Sequence, residues 1–140
     1  MLEIICGVKG KGKTKELLNK VNTAVQTANG NVVYLDKSQK HMYELSTKVR
    51  LINVTDYPLS NCDEFLGFIC GIISQDNDLE EMYLDSFLTI AQITTDSEIT
   101  SAIEQLDVIS EKYKVRFILS ISRDLQELPE CAKAKVVISL

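Results

Sequence analysis

The sequence predicts an α/β protein with a mainly parallel sheet and helices on both of its faces, folded as one domain over residues 1–140. Continuously apolar runs alternate along the chain with amphipathic segments of helical period, which is the pattern of parallel strands joined by helices. A length of 140 residues is that of one ordinary domain. The chain carries no repeat, low-complexity stretch or linker rich in proline and glycine that would divide it.

In the N-terminal part, strand and helix patterns alternate. The apolar run at residues 2–6 predicts a strand, and apolar residues spaced three and four apart predict a helix over residues 13–28. The sequence NVVYLD predicts a buried strand over residues 31–36. A short helix is expected over residues 38–47, and a weaker strand over residues 51–54.

The middle of the chain continues the alternation. A second helix is predicted over residues 61–74, because Ser60 or Asn61 can cap its first turn. After a polar turn, the sequence EMYLDSF predicts a strand over residues 81–87. This strand should lie near the centre of the sheet.

The C-terminal part adds one long helix and two strands. Apolar residues on one face predict a helix over residues 96–113. The runs VRFILSIS and KVVISL predict strands over residues 115–122 and 135–140. Because these strands are apolar throughout rather than alternating, both faces of the sheet should be covered by helices, in three α/β/α layers.

The loop after the first strand carries the most specific motif. Residues 7–14 read GVKGKGKT, which fits the phosphate-binding P-loop pattern G-x-x-x-x-G-K-[ST]. Its glycines let backbone N–H groups approach phosphate oxygens, and the helix that starts there adds its positive end. Lys13 would reach the β- and γ-phosphates, and the Thr14 hydroxyl would be a ligand of Mg²⁺.

A magnesium ion at a P-loop also needs a carboxylate at the end of a nearby strand. Three candidates follow strands: Asp36, Asp56 and Asp85. Asp36 ends the strand that directly follows the P-loop helix, and this strand normally lies away from the phosphates. Asp56 follows a weak strand. The sequence therefore favours Asp85 and leaves Asp56 as the alternative.

The charge of the chain is unevenly distributed. Residues 1–50 hold nine Lys or Arg and four Asp or Glu, whereas the whole chain has a net charge of −5. Positive charge therefore gathers around the glycine loop, which favours an anionic ligand. The acidic remainder does not favour a nucleic-acid surface. The apolar runs are too short for a membrane span, no signal peptide is predicted, and four scattered cysteines favour reduced thiols in the cytoplasm.

The order of P-loop, VVYLD, YLDSFLTI, VRFILSISRD and KVVIS resembles the RecA-like P-loop ATPases, especially the cores of the KaiC, RadA and DnaB type. Small proteins of this size are also labelled as similar to the pilus-retraction ATPases. The resemblance implies a RecA-like P-loop NTPase topology, with the strand that ends at Ser120–Ser122 between the P-loop strand and the strand of Asp85.

The resemblance also implies roles by position. The family's catalytic glutamate lies at the end of the second strand, where this chain has the shorter Asp36. Ser120 and Ser122 stand where the family has a polar sensor. Arg123 would contact a γ-phosphate, or would pair with Asp124 on the surface.

The expected function is the binding of ATP with Mg²⁺, by a slow ATPase or an ATP-dependent switch, with a protein partner or a homo-oligomer. A non-hydrolysing nucleotide sensor and a small nucleoside or metabolite kinase are the alternatives. Asp36 and Lys13 are the expected catalytic residues, and Thr14 and Asp85 the metal ligands. The expected nucleotide-binding residues are Gly7, Val8, Lys9, Gly10, Lys11, Gly12, Lys13, Thr14, Lys15, Ser122 and Arg123.

Overall fold

The computed structural model describes residues 1–140 and shows one sheet of six strands. All of its strand pairs are parallel. This confirms the predicted α/β class and the parallel sheet. The strands are β1 (Leu2–Cys6), β2 (Asn31–Asp36), β3 (Val49–Asn53), β4 (Leu79–Leu84), β5 (Arg116–Ile121) and β6 (Val136–Ser139).

Three longer and two short helices connect these strands. Asn61 caps one of the longer helices, because its side chain accepts a hydrogen bond from the backbone N–H of Glu64 at 2.9 Å. Thr95 and Glu98 form a reciprocal capping box at the start of another. The helices are α1 (Lys13–Ala24), α2 (Cys62–Ser74), α3 (Phe87–Ile90), α4 (Asp96–Tyr113) and α5 (Glu130–Lys133).

The strands lie in the order β3-β2-β4-β5-β1-β6 across the sheet. β5 therefore lies between β1, which leads into the glycine loop, and β4, which ends just before Asp85, as expected. Since all strands run in parallel, their carboxyl ends meet at one edge of the sheet. The loops after β1, β2, β4 and β5 are brought together at this edge.

Helices cover both faces of the sheet, which is consistent with three α/β/α layers. On one face, α1 packs with Leu17, Leu18 and Val21 against inward-facing strand residues such as Ile5 and Tyr34. On the other face, α2 and α4 belong to a larger apolar core that includes the opposite side chains of the same strands. The four inner strands, β1, β2, β4 and β5, are buried from both sides, which explains why their sequences do not alternate.

Several predicted boundaries differ from the structure. The helix expected over residues 38–47 is a single 3-10 turn at Met42–Glu44, and α1 ends at Ala24 rather than at residue 28. The strand expected over residues 81–87 begins earlier, at Leu79, and ends at Leu84. Phe87 was therefore wrongly assigned to that strand, because the chain turns at Ser86 into α3. No helix of the structure combines the length and the apolar character needed to cross a bilayer.

Candidate functional site

A polar cleft of about 560 Å³ opens at the carboxyl ends of β1, β2, β4 and β5. Clefts at this edge of open parallel sheets are the usual place for ligands. No hydrophobic side chain lines it. Its fifteen lining residues are Lys9, Gly10, Gly12, Lys13, Thr14, Asp36, Lys37, Ser38, Lys40, His41, Asp85, Ser86, Thr89, Ser120 and Ser122.

The glycine loop forms the first wall of the cleft. Gly10 and Gly12 have φ angles of 88° and 96°, in the left-handed region that favours glycine. Helix α1 begins immediately afterwards, at Lys13. A loop of this conformation followed by a helix N-terminus offers backbone N–H groups and the positive end of the helix to an anion.

Lys13 lies at the base of this wall and is only 7 % exposed. Its ammonium donates a hydrogen bond to the carbonyl oxygen of Val8 at 3.1 Å, so the side chain folds back over its own loop. Burial lowers the pKa of Lys13, and the nearby Asp85 carboxylate opposes that shift. The side chain therefore places a poorly solvated amino group in the lining of the cleft.

Asp85 stands opposite the start of α1 and is 2 % exposed. Its Oδ1 atom accepts hydrogen bonds from the hydroxyls of Thr14 at 3.3 Å and Ser120 at 2.8 Å. Its Oδ2 atom accepts one from the hydroxyl of Tyr34 at 2.8 Å. Three hydroxyls from α1, β5 and β2 therefore hold one carboxylate in place.

The residue after Asp85 turns the chain out of the sheet. Ser86 has φ 56° and ψ 52°, a left-handed conformation that costs a non-glycine residue about 1 kcal/mol or more. Its backbone N–H donates to the Ser120 hydroxyl at 2.8 Å, and that same hydroxyl donates to Asp85. Ser120 thus stabilises the turn and the carboxylate together.

Asp36 lines the cleft at the end of β2 and is 3 % exposed. Its Oδ1 atom accepts a hydrogen bond from the backbone N–H of Lys37 at 2.7 Å, whereas its Oδ2 atom is buried without a hydrogen-bond partner. Burial and the neighbouring Asp85 raise the pKa of Asp36, partly offset by the Lys37 N–H and by His41. A buried carboxylate oxygen with a raised pKa and no partner is a good proton acceptor.

The segment after Asp36 forms the second wall of the cleft, which consists of Lys37, Ser38, Lys40 and His41. Local hydrogen bonds hold it: the Lys40 N–H donates to the Ser38 hydroxyl at 3.2 Å, and His41 Nδ1 lies 2.6 Å from Glu44 Oε2. This wall brings two further lysines to the side of the cleft opposite the glycine loop.

The structure brings most of the predicted residues together, and leaves some outside. Eight of them line the cleft: Lys9, Gly10, Gly12, Lys13, Thr14, Asp36, Asp85 and Ser122. Five do not: Gly7, Val8, Lys11, Lys15 and Arg123. Arg123 instead forms an ion pair with Asp96 at the start of α4, and not with Asp124.

The structure also separates the two candidate acidic anchors. Asp56 follows β3 in a 3-10 turn and lines a different cavity, next to Asn53 and Phe68. Asp85 alone contacts the glycine loop, through Thr14. The reason is the strand order, because β3 is the edge strand and β4 is central.

Sequence reasoning missed the second wall and Tyr34. The signal for the wall was present, since Lys37 and Lys40 directly follow a strand that ends at the ligand-binding edge of the predicted sheet. Nothing in the sequence marked Tyr34, which reads as one more buried residue of β2. Its role depends on the pairing of β2 with β4, which sets Tyr34 beside Tyr83 in the register.

The donor set between Thr14 and Asp85 can be tested against the expected magnesium ion. Mg²⁺ prefers oxygen ligands and is usually held by one or two carboxylates together with substrate phosphates. A hydroxyl and a carboxylate beside the glycine loop match this preference, so these residues fit the ion. No group of three or more His, Cys, Asp or Glu side chains is arranged to hold a metal.

Neither a protein-family model nor a curated protein matches this chain.

Proposed function

We propose that this protein is a P-loop nucleotide-binding protein of RecA-like topology that binds ATP with Mg²⁺ and acts as a slow ATPase or an ATP-dependent switch. One observation carries the proposal: the hydroxyl of Thr14 and the carboxylate of Asp85 are hydrogen-bonded in the cleft that also holds Lys13. A P-loop, its lysine and an acidic anchor are the parts that triphosphate binding requires.

The strand order supports the RecA-like part of the proposal. In that family, a further strand lies between the P-loop strand and the strand of the acidic anchor. Here β5 lies between β1 and β4, and its end carries Ser120 and Ser122. Ser120, which bonds both Asp85 and the Ser86 backbone, suits a residue that reports on the occupancy of the site.

Each residue has a role in this proposal. The glycine loop and Lys13 bind the phosphates, and Thr14 and Asp85 hold Mg²⁺. The ion, when bound, neutralises charge on the phosphate oxygens. Asp36 Oδ2 accepts a proton from the attacking water, because it is buried, lacks a partner and has a raised pKa.

The proposal is for slow turnover, because no arginine lines the cleft. Arg123 is engaged by Asp96, Arg116 by Glu3, and Arg50 lines the cavity of Asp56. An arginine that stabilises the transition state contributes a factor of about 10³–10⁵ to P-loop enzymes. These positions also favour the second candidate, a sensor that binds ATP without hydrolysis and signals to a protein partner. A cytoplasmic location belongs to the proposal, since all four cysteines are free thiols.

The Lys13→Ala variant tests the proposal. Titration calorimetry with Mg-ATP should give binding to the unmodified protein and none to the variant, while circular dichroism shows that both are folded. The fold should survive because the side chain bonds only the Val8 carbonyl. Lys48→Ala, an exposed lysine outside the cleft, is the matched control and should bind like the unmodified protein. Equal affinity in all three proteins would contradict the P-loop assignment.

A further inference from the structure

We infer that the cleft recognises the phosphate chain of its ligand and not the base. The ligand class is then a magnesium-bound polyphosphate anion of triphosphate length, with or without a nucleoside attached. The inference rests on the proposed binding of a triphosphate at this site. It goes further because it predicts which part of the ligand supplies the affinity.

The composition of the cleft suits the phosphates better than the base. All fifteen lining residues are polar or glycine, whereas pockets for bases and other small molecules are lined mainly by apolar and aromatic side chains. Stacking on an aromatic ring is a common way to hold a base. The exposed rings of Tyr43, Tyr57 and Tyr113 all lie outside this lining. A nucleotide bound here therefore leaves its base outside the cleft.

The lysines of the cleft form no ion pairs within the protein. Lys9 and Lys13 on the first wall and Lys37 and Lys40 on the second line the cleft. None of the four has a carboxylate within the 4.0 Å that defines an ion pair. The lysines that do form ion pairs are Lys20, Lys133 and Lys135, which lie elsewhere.

The charge of the cleft follows from these lysines. Four lysines line the cleft with only two carboxylates, those of Asp36 and Asp85, so positive charge is in excess. Lysine binds phosphate as a point charge, without the directional requirements that would read a base. Positive groups on two opposite walls suit an extended anion with charge along its length.

The second wall is held in place before any ligand arrives. The Lys37 N–H is bonded to Asp36, the Lys40 N–H to Ser38, and His41 to Glu44. A wall ordered by local hydrogen bonds loses little conformational freedom on binding. Lys37 and Lys40 should therefore add affinity for the phosphate chain beyond what the glycine loop supplies.

Titration calorimetry on the full chain in excess Mg²⁺ tests the inference, with ATP, GTP, CTP, UTP, inorganic tripolyphosphate and adenosine as ligands. The four nucleotides should bind with affinities within about fivefold of one another. The affinity for tripolyphosphate should lie within about tenfold of that for ATP, because a larger difference would require contacts to the nucleoside worth more than about 1.4 kcal/mol. Adenosine should show no binding. A preference of a hundredfold for ATP over the other three nucleotides, or binding of ATP without tripolyphosphate, would overturn the inference but leave the proposed function intact. If neither ATP nor tripolyphosphate binds, the proposed function fails as well.

A double variant tests the second wall. Lys37→Ala/Lys40→Ala should weaken the binding of ATP and of tripolyphosphate by the same factor, about tenfold, because exposed charge pairs contribute up to about 1 kcal/mol each. Lys48→Ala, which removes an exposed lysine from the same connection outside the cleft, should leave both affinities unchanged. A loss of affinity for ATP alone would show that these lysines contact the nucleoside. Unchanged affinity for both ligands would show that the second wall contributes nothing to binding. Either result contradicts the inference.

Discussion

The hydroxyl of Thr14 donates a hydrogen bond of 3.3 Å to Oδ1 of Asp85, which lies 71 positions further along the chain. Thr14 belongs to the first turn of α1, and Asp85 directly follows β4. β5 separates their two strands in the sheet, yet both side chains reach the same cleft. This contact joins the glycine loop to a fixed carboxylate and underlies the first prediction.

Asp85→Asn should reduce the contribution of Mg²⁺ to ATP binding more than it reduces binding itself. The glycine loop stays intact, while the metal loses a charged ligand. Calorimetric titration of ATP with Mg²⁺ and with a chelator should show that the gain in affinity from Mg²⁺ falls by about tenfold or more, as expected for one lost charge-assisted contact of about 1.5–3 kcal/mol. Asp56→Asn, at the other strand end, should keep the full gain. The assignment of Asp85 is wrong if the two variants exchange these results.

The second prediction concerns turnover. The purified protein should hydrolyse ATP at well under about 1 s⁻¹, because no arginine lines the cleft and Asp36 is one methylene shorter than a glutamate. Asp36→Ala should lower the rate further, and Asp36→Glu should raise it. Phosphate release measured at saturating Mg-ATP gives all three rates, with affinities measured in parallel. Rapid hydrolysis that Asp36→Ala leaves unchanged would place the base elsewhere.

Asp36 also predicts a dependence of stability on pH. Its pKa is raised in the folded state by burial and by Asp85, so the folded protein binds this proton more tightly than the unfolded chain does. The contribution of Asp36 to the free energy of unfolding is therefore present at low pH and is lost as pH rises from about 4 through the raised pKa. Above that pKa, the folded state carries a buried charge.

Asp36→Asn should remove the loss of stability at higher pH, because the amide side chain does not ionise. The amide oxygen can still accept the hydrogen bond from the Lys37 N–H. Without ligand at pH 7, the variant should be more stable than the unmodified protein by about 1 kcal/mol or more, because the neutral amide avoids the cost of burying a charge beside Asp85. Urea denaturation at several pH values between 4 and 7 measures the difference. The prediction requires the difference to grow with pH, and a constant or shrinking difference would refute it.

Tyr34 should stabilise the folded protein through the hydrogen bond from its hydroxyl to Asp85. Burial and the Asp85 carboxylate raise the pKa of Tyr34, so its hydroxyl remains a donor. Tyr34→Phe removes this donor and leaves Oδ2 of Asp85 buried without its partner, which should cost about 1–3 kcal/mol in the free energy of unfolding. Chemical denaturation measures this cost.

Tyr83→Phe is the matched control, since the two rings stack with centroids 6.3 Å apart. The Tyr83 hydroxyl donates to Glu81, whose side chain is 17 % exposed and can be solvated instead. Its loss should cost less than that of the Tyr34 hydroxyl. Equal losses in the free energy of unfolding would show that the hydrogen bond to Asp85 stabilises the protein no more than the bond to Glu81.

Most of the elements could be predicted from the sequence because their signals are local. The period of apolar residues and the capping residues place α4 at Asp96–Tyr113, as predicted, and α2 within one residue. The turn at Ser86 could not be predicted, because a serine carries no local preference for the left-handed conformation that ends β4. Hydrogen bonding from its N–H to Ser120, on another strand, holds that conformation.

The sequence by itself determined the α/β class, the glycine loop and the roles open to Lys13 and Thr14, because these depend on residues close together in the chain. Only the tertiary structure decided which carboxylates meet that loop. The order of the strands puts Asp85 beside Thr14, leaves Asp56 at the edge strand and brings Asp36, Lys37 and Lys40 to the opposite wall. Strand order arises from packing between residues far apart in the chain, and no local pattern encodes it.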